Sequence, residues 1–206
     1  MAVKLTKNEQ KKQKDQLKQY QRYLPTLLLK KQQLQMVIRQ IEAKYAEYKA
    51  QQEALVAGIQ EWISVFGENA AFPEDCQLDK LVIADKVVRK ESNIAGVTIP
   101  VFEDLTFRRI DYEVEDYPLW VDNAVVLLQE SARITALMKT LEVQIELLGK
   151  ELRTTSQRVN LFEKVKIPET KENIRRIGIY IGDQDTAAVV RGKIAKKKLA
   201  VKEDIA

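Results

Sequence analysis

The stretch that decides the fold is Leu17–Phe66, LKQYQRYLPTLLLKKQQLQMVIRQIEAKYAEYKAQQEALVAGIQEWISVF. Its apolar side chains recur at alternating intervals of three and four residues, and thirteen of the fifteen positions on that spacing are apolar. A seven-residue repeat sustained over this length is the signature of a coiled coil. We therefore predict a long helix whose apolar seam faces a partner helix.

The same spacing returns between Trp120 and Lys166, where eleven of fourteen seam positions are apolar. Because a bare apolar stripe must be buried, we expect the two segments to pack against each other. Pro25 is expected to kink the first helix, and Pro168 to interrupt the second. The predicted fold class is mainly α: a long antiparallel two-helix coiled coil, or helical hairpin, with a small β-containing insert between the helices.

Four polar residues stand in the two seams. Buried polar residues fix the register of some coiled coils. The alternative is that they mark places where the seam faces solvent or another subunit, and the sequence leaves both readings open. The residues are Lys31, Gln52, Ser131 and Thr155.

The helical period is lost between the two segments. Leu81–Val88 and Val97–Phe102 are rich in β-branched residues and predict two strands, with a turn at Asn93–Gly96. We therefore predict three domains: a first coiled-coil helix over 1–66, a β-containing insert over 67–118, and a second coiled-coil helix over 119–206 that is interrupted near Pro168.

The composition argues against an enzyme. The chain has no histidine and a single cysteine, Cys76, which excludes a histidine base, a Cys–His pair and an internal disulfide. Neither GxxxxGK[ST] nor GxGxxG occurs, so no nucleotide site is predicted. No apolar run approaches the roughly 20 residues that cross a bilayer. We expect a cytoplasmic protein with no catalytic residue, no cofactor and no metal.

Positive charge is concentrated at both ends of the chain. Residues 1–31 hold nine Lys or Arg against two acids, whereas residues 67–118 hold twelve acids against six Lys or Arg. The basic ends could be a solvated helix face, could meet an acidic protein surface, or could bind nucleic acid. The last reading is weakened because 1–19 and 181–206 contain no aromatic residue for stacking.

Two motifs resemble those of the D-subunit family of the V/A-type rotary ATPases, which forms the central stalk. Arg158-Val159-Asn160 with Glu163, followed by Ile167-Pro168, is similar to the family's RVNxxE motif and its Ile-Pro pair. Leu27, Leu28, Lys30 and Leu34 are similar to its LLKxKxxxL motif, although Gln32-Gln33 replaces the Arg-Asp that often follows. The Val3–Lys7 opening resembles a divergent bacterial branch.

The resemblance implies a non-catalytic rotor shaft that transmits torque between an ion-driven membrane ring and a catalytic hexamer. Its implied partners are the hexamer's catalytic and regulatory subunits, the small F subunit of the stalk and a funnel-shaped subunit on the ring, with no membrane insertion of its own. The implied location is cytoplasmic and peripheral to the inner membrane.

From the charge pattern, we predict that nine basic residues face acidic loops of the hexamer: Lys11, Lys12, Lys14, Lys18, Arg191, Lys193, Lys196, Lys197 and Lys198. The alternative functions are a nucleic-acid-binding coiled-coil protein and a scaffold, including the stalk proteins of flagellar-type export.

Overall fold

The computed structural model describes residues 3–67, 81–108 and 120–203. Cys76 and the parts of the predicted insert at 68–80 and 109–118 lie outside these ranges, as do the side chains of 60–67 and 199–203. The chain divides into two compact units. We call Met1–Lys31 with Thr154–Ala206 the terminal unit, and Gln32–Arg153 the hairpin unit.

Three helices and two strands make up the described chain. Helix α1 spans Lys7–Gly67, strands β1 and β2 span Ile83–Ile94 and Val97–Arg108, and helix α2 spans Val121–Asn160. A π-helical segment, Leu161–Lys166, leads directly into helix α3, Ile167–Glu203. These elements confirm the predicted class, a mainly helical chain with a two-stranded antiparallel insert. No described helix meets the length and apolarity needed to span a bilayer.

The first helix starts where its sequence provides a cap. The backbone N–H of Glu9 donates to Oγ1 of Thr6 at 3.3 Å, which satisfies one of the unpaired donors of the first turn. The sequence predicts a helix from residue 1, but the described chain enters helix only at Lys7. The helical backbone continues through Pro25, so the proline does not end the element.

The heptad seams are buried as predicted. Every seam position from Leu17 to Ile59, and every one from Trp120 to Lys166, is buried or half-buried. In the hairpin unit, the Tyr45 hydroxyl donates to Glu142 at 2.8 Å and the Gln52 amide donates to Thr135 at 3.0 Å. Residue numbers rise on α1 as they fall on α2, so the helices are antiparallel.

The terminal unit repeats this arrangement with α1 and α3. Lys7 pairs with Asp185 at 3.5 Å, and the Tyr20 and Phe162 rings stack with centroids 5.3 Å apart. The buried side chains here are Thr155, Val159, Thr170 and Ile177. The seam expected to continue along α3 ends near Ile181, because Ala188 and Ile194 are exposed.

The insert is a β-hairpin docked on the hairpin unit's helices. A two-residue turn joins the strands at Ala95 and Gly96, whose φ angles of 52° and 81° match the tight turns that hairpins prefer. Ile99, 2% exposed, packs in one cluster with Leu34, Ile41 and Leu148. The observed β1 is longer than the predicted strand because it continues to the turn.

The π-helical segment is explained by the proline that follows it. Pro168 has no N–H to donate to the carbonyl of Lys164, four residues earlier, and its ring would crowd that carbonyl in an α-helix. The backbone instead widens, and the Ile167 N–H donates to the Phe162 carbonyl five residues earlier. The interruption predicted at Pro168 is therefore a change of helical pitch just before the proline, and the helix does not break.

Candidate functional site

The basic residues at the chain ends form two exposed clusters in the terminal unit. All nine predicted contact residues are exposed. We call the first set the α1 basic cluster and the second the α3 basic cluster; the sets are Lys11, Lys12, Lys14 and Lys18, and then Arg191, Lys193, Lys196, Lys197 and Lys198.

The two clusters lie at different heights along the terminal unit. Gln10 lies against Gly178, where a Cβ would sit 3.3 Å from the Gln10 amide nitrogen, so the α1 cluster starts beside the first third of α3. Lys7, at the start of α1, reaches Asp185. At 1.5 Å per residue, Lys198 is about 20 Å beyond Asp185. The fold therefore presents two separate basic surfaces, where the charge pattern alone suggests one.

The clusters also differ in how they surround their helices. Lys11, Lys14 and Lys18 follow each other at intervals of three and four, which places them on one face of α1. In α3, Lys196, Lys197 and Lys198 are consecutive and so point in three directions about 100° apart. The five cations of the α3 basic cluster therefore cover more than half of the helix circumference, and the remaining face carries Ala188, Gly192 and Ala195.

None of these nine cations forms an ion pair with another residue in the described ranges. Elsewhere in the terminal unit, charges are neutralised locally. Glu172 binds both Arg175 and Arg176 at 2.9 Å, and these two guanidinium groups lower the pKa of Glu172 to about 2. The charge of the two clusters is therefore not compensated within the described chain.

Apolar side chains are interspersed with the α3 basic cluster. Every described side chain from Ala188 to Lys198 is exposed, including Val189, Val190 and Ile194 at 58%, 49% and 51%. Three large apolar side chains within six residues, ringed by lysines, form a surface suited to a partner that is both apolar and acidic.

The residues of the two family-like motifs divide into a buried and an exposed set. Leu34 is fully buried in the hairpin unit, and Val159 is 2% exposed in the terminal unit. The other described motif side chains are half-buried or exposed: Leu27, Leu28, Lys30, Arg158, Asn160, Glu163 and Pro168. The buried pair serves packing, and Arg158, Asn160 and Glu163 are open to a partner around the start of the π-helical segment.

The β-hairpin is fixed to α2 by contacts that the sequence did not predict. The Gln144 side chain, 6% exposed, donates to the backbone carbonyl of Pro100. The Arg133 guanidinium lies 3.7 Å from Asp104 and 5.5 Å from the centroid of the Phe107 ring. In the sequence, the one indication of the contact between Gln144 and Pro100 is that this polar residue directly precedes the apolar seam residue Ile145.

Of the four polar seam residues, Gln52 has a clear structural role. Its hydrogen bond to Thr135 crosses from α1 to α2, and Thr135 in turn donates to the carbonyl of Ser131 at 2.8 Å. This pair favours the register reading, because a shifted alignment would separate the two side chains. No group of His, Cys, Asp or Glu within the described ranges is arranged to hold a metal ion.

Comparison with known proteins agrees with these features. The family model described as the ATP synthase D subunit matches residues 9–197. The V-type ATP synthase D subunit of Borreliella burgdorferi is 50% identical over 200 residues, covering 97% of this chain and 96% of the relative. The corresponding protein of Chlamydia abortus is 34% identical over 209 residues, covering 98% and 96%. The chain therefore belongs to the ATP synthase D-subunit family, the central-stalk subunits of V/A-type ATPases.

Proposed function

We propose that this chain is the rotor shaft of its ATPase, without a catalytic site, and that it transmits torque between the membrane ring and the catalytic hexamer. The observation that carries the proposal is the α3 basic cluster, an exposed helix end that presents positive charge over more than half of its circumference. A surface that must pass several equivalent partners cannot depend on one narrow face, and residues 186–198 contain no acidic side chain that would oppose the positive charge.

The chemistry of the cluster suits contacts that form and release. Exposed ion pairs are worth roughly 0–1 kcal/mol each and are screened by salt. Five such cations attract a surrounding acidic protein surface without binding it irreversibly. We infer that the α3 basic cluster faces acidic loops of the catalytic and regulatory subunits. The α1 basic cluster lies at a different position along the terminal unit and contacts a second set of loops of the same subunits.

Torque transmission needs helices that do not slide past each other. In the hairpin unit, the seam contains the fully buried Leu34 and Leu148, and the Gln52–Thr135 bond sets its alignment. Sliding by one helical turn would unpack these leucines and leave polar groups without partners. Such a seam suits a shaft, because the paired helices resist twisting better than either helix alone.

The remaining partners are proposals from the family resemblance. We infer that the hairpin unit binds the small F subunit of the stalk and the funnel-shaped subunit on the membrane ring. The chain would then be peripheral to the inner membrane on its cytoplasmic side. Coexpression with each of these partners alone, followed by size-exclusion chromatography, tests both contacts, and failure of either pair to coelute would remove that contact.

The function is tested by neutralising the cluster in the assembled complex. The variant Lys196→Gln, Lys197→Gln, Lys198→Gln removes three charges and retains long polar side chains. We expect reduced ATPase activity coupled to ion transport at low ionic strength, with a smaller difference at high salt because salt already screens the wild-type contacts.

The matched control removes three exposed cations of the terminal unit that lie outside both basic clusters, through Lys4→Gln, Arg22→Gln and Lys171→Gln. It changes net charge by the same amount and should leave coupled activity near wild type. If both triple variants retain full activity at low salt, the proposed role of the α3 basic cluster is wrong. If the native chain does not copurify with ATPase subunits, the shaft function is wrong.

A further inference from the structure

The π-helical segment is the one place in the described chain where the hydrogen-bond ladder from α2 to α3 changes its pattern. The Ile167 N–H reaches back five residues to Phe162, and Pro168 donates no bond. Hydrogen bonds to the fifth residue back occur mostly as short insertions in α-helices, frequently at functional sites. Between Leu161 and Pro168 the backbone ladder therefore changes from α-type to π-type bonds, and Pro168 contributes no donor.

Side-chain packing is also sparse at this point. Val159, 2% exposed, and Thr170, 4% exposed, anchor the chain on either side. The ten residues between them, 160–169, include no buried side chain. Within this stretch, the contact with α1 that the structure displays is the ring stack of Phe162 on Tyr20, with the ring planes 28° apart. A single stack resists bending but leaves rotation about the helix axis weakly restrained.

The opposing helix has a weak point in the same unit. Pro25 lies five residues beyond Tyr20 in α1 and cannot donate to the carbonyl of Gln21. The chain after the segment is reinforced instead. Thr170 donates to the Lys166 carbonyl at 2.6 Å, and Glu172 clamps two arginines. Between the buried Val159 and Ile177, deformation will therefore concentrate at the segment, since α3 immediately beyond it is held by these local bonds.

We propose that Leu161–Lys166 is a torsional joint, at which α3 twists against the end of α2 by exchanging π-type for α-type hydrogen bonds. Moving the pattern by one residue rotates the following helix by about 100° at full conversion, and partial conversion absorbs smaller twists. The joint is a property of the chain itself. Its use, storing twist between successive steps of the hexamer, rests on the proposed rotor function.

Hydrogen–deuterium exchange on the full chain tests the joint without requiring a rotor. We expect the backbone amides of 161–167 to exchange about tenfold faster than those of 150–158 and 171–178, because their ladder changes pattern beside a proline and their side chains are not buried. Equal protection across the three ranges would overturn the proposal.

A variant then removes the cause of the altered ladder. Pro168→Ala restores a donor toward the Lys164 carbonyl, and Pro168 is exposed, so the change creates no cavity. We expect exchange at 161–167 to slow about tenfold, which corresponds to about one recovered hydrogen bond. The control is Gly182→Ala, which strengthens α3 away from the segment and should leave exchange at 161–167 unchanged.

The same variants separate the joint from its use in the assembled ATPase. With the hexamer fixed and a probe on the shaft, Pro168→Ala should narrow the angular fluctuations of the paused rotor, and Gly182→Ala should not. Unchanged exchange in Pro168→Ala would refute the joint itself. Slower exchange with unchanged angular spread would leave a joint in the chain but refute its role in storing twist.

Discussion

Replacing Ile99 with alanine should undock the β-hairpin while leaving the helices paired. Ile99 is 2% exposed and packs with Leu34, Ile41 and Leu148. Truncating a buried isoleucine to alanine costs about 2–5 kcal/mol, with the upper part of the range where the site cannot collapse. The two helices that bound this cavity are fixed by their own seam and cannot move in to fill it. We therefore expect a loss of about 3 kcal/mol in the free energy that docks the β-hairpin.

That loss is larger than the combined contribution of the polar contacts that would still hold the β-hairpin in place. The bond from Gln144 to the Pro100 carbonyl contributes about 1 kcal/mol. The Arg133–Asp104 pair is more than half exposed on both sides and contributes roughly 0–1 kcal/mol. An isolated two-stranded hairpin is marginal in water. The β-hairpin will therefore lose order once the Ile99 contact is removed, even though Leu105, the other buried apolar residue of β2, is unchanged.

Hydrogen exchange of the full chain distinguishes this local opening from global unfolding. In Ile99→Ala, amides of 83–94 and 97–108 should lose most of their protection, whereas those of 34–55 and 134–152 should keep theirs. The control is Thr98→Ala, whose side chain is exposed on the other face of β2 and should change little. The reasoning fails if hairpin protection survives in Ile99→Ala, or if the helices lose protection to the same extent.

Three further variants test backbone and charge effects on the free energy of unfolding. Gly182→Ala should stabilise the chain by about 1 kcal/mol, because a Cβ there meets nothing within 4 Å and alanine is the better helix former. Gly96→Ala should destabilise the β-hairpin by about 1–2 kcal/mol, because its φ of 81° suits only glycine without strain. Chemical denaturation measures the effect of Gly182→Ala, and amide exchange in the β-hairpin measures that of Gly96→Ala. The arginines lower the pKa of Glu172 from an ordinary value of 4.5 to about 2, so its stabilisation is complete above pH 4.5 and is lost as pH falls through 2. Thermal melts against pH should show Glu172→Gln reducing the melting temperature at pH 6 and not below pH 2, and an equal reduction at both would contradict this assignment.

The heptad seams are predictable from sequence because their burial depends on a repeating pattern. Residues such as Leu34 and Leu148 lie on a spacing that only a coiled coil buries, so one chain is enough to identify them. The two strands are predictable for a similar reason, since β-branched runs flank the turn. The docking of the hairpin is not, because it depends on Gln144 and Arg133 meeting particular strand residues across long stretches of chain.

The change of pitch at Leu161–Lys166 is also beyond the heptad pattern. Phe162 and Lys166 fit the α-helical spacing, and a π-helical turn shifts side chains by only one position. Pro168 is the signal, and it predicts an interruption because a proline inside an α-helix must lose a bond. The sequence alone does not decide whether the chain breaks, kinks or widens there, since the outcome depends on what Val159 and Thr170 pack against on either side.

The separation of the basic clusters depends on where α1 begins. Charge counting places Lys11 and Lys198 in one group, because each lies near a chain end. The antiparallel register puts Lys7 beside Asp185, so α3 continues past the start of α1, and its side chains from Ala188 to Lys198 are exposed. The nucleation cost of this extension is already met by the packed part of α3. Mutual repulsion of Lys196–Lys198 nevertheless disfavours it, so an acidic partner that relieves this repulsion would stabilise the helix in the act of binding it. If this end enters the hexamer as proposed, its helical order and its binding to the hexamer are coupled, and the salt dependence of the lysine variants tests that coupling.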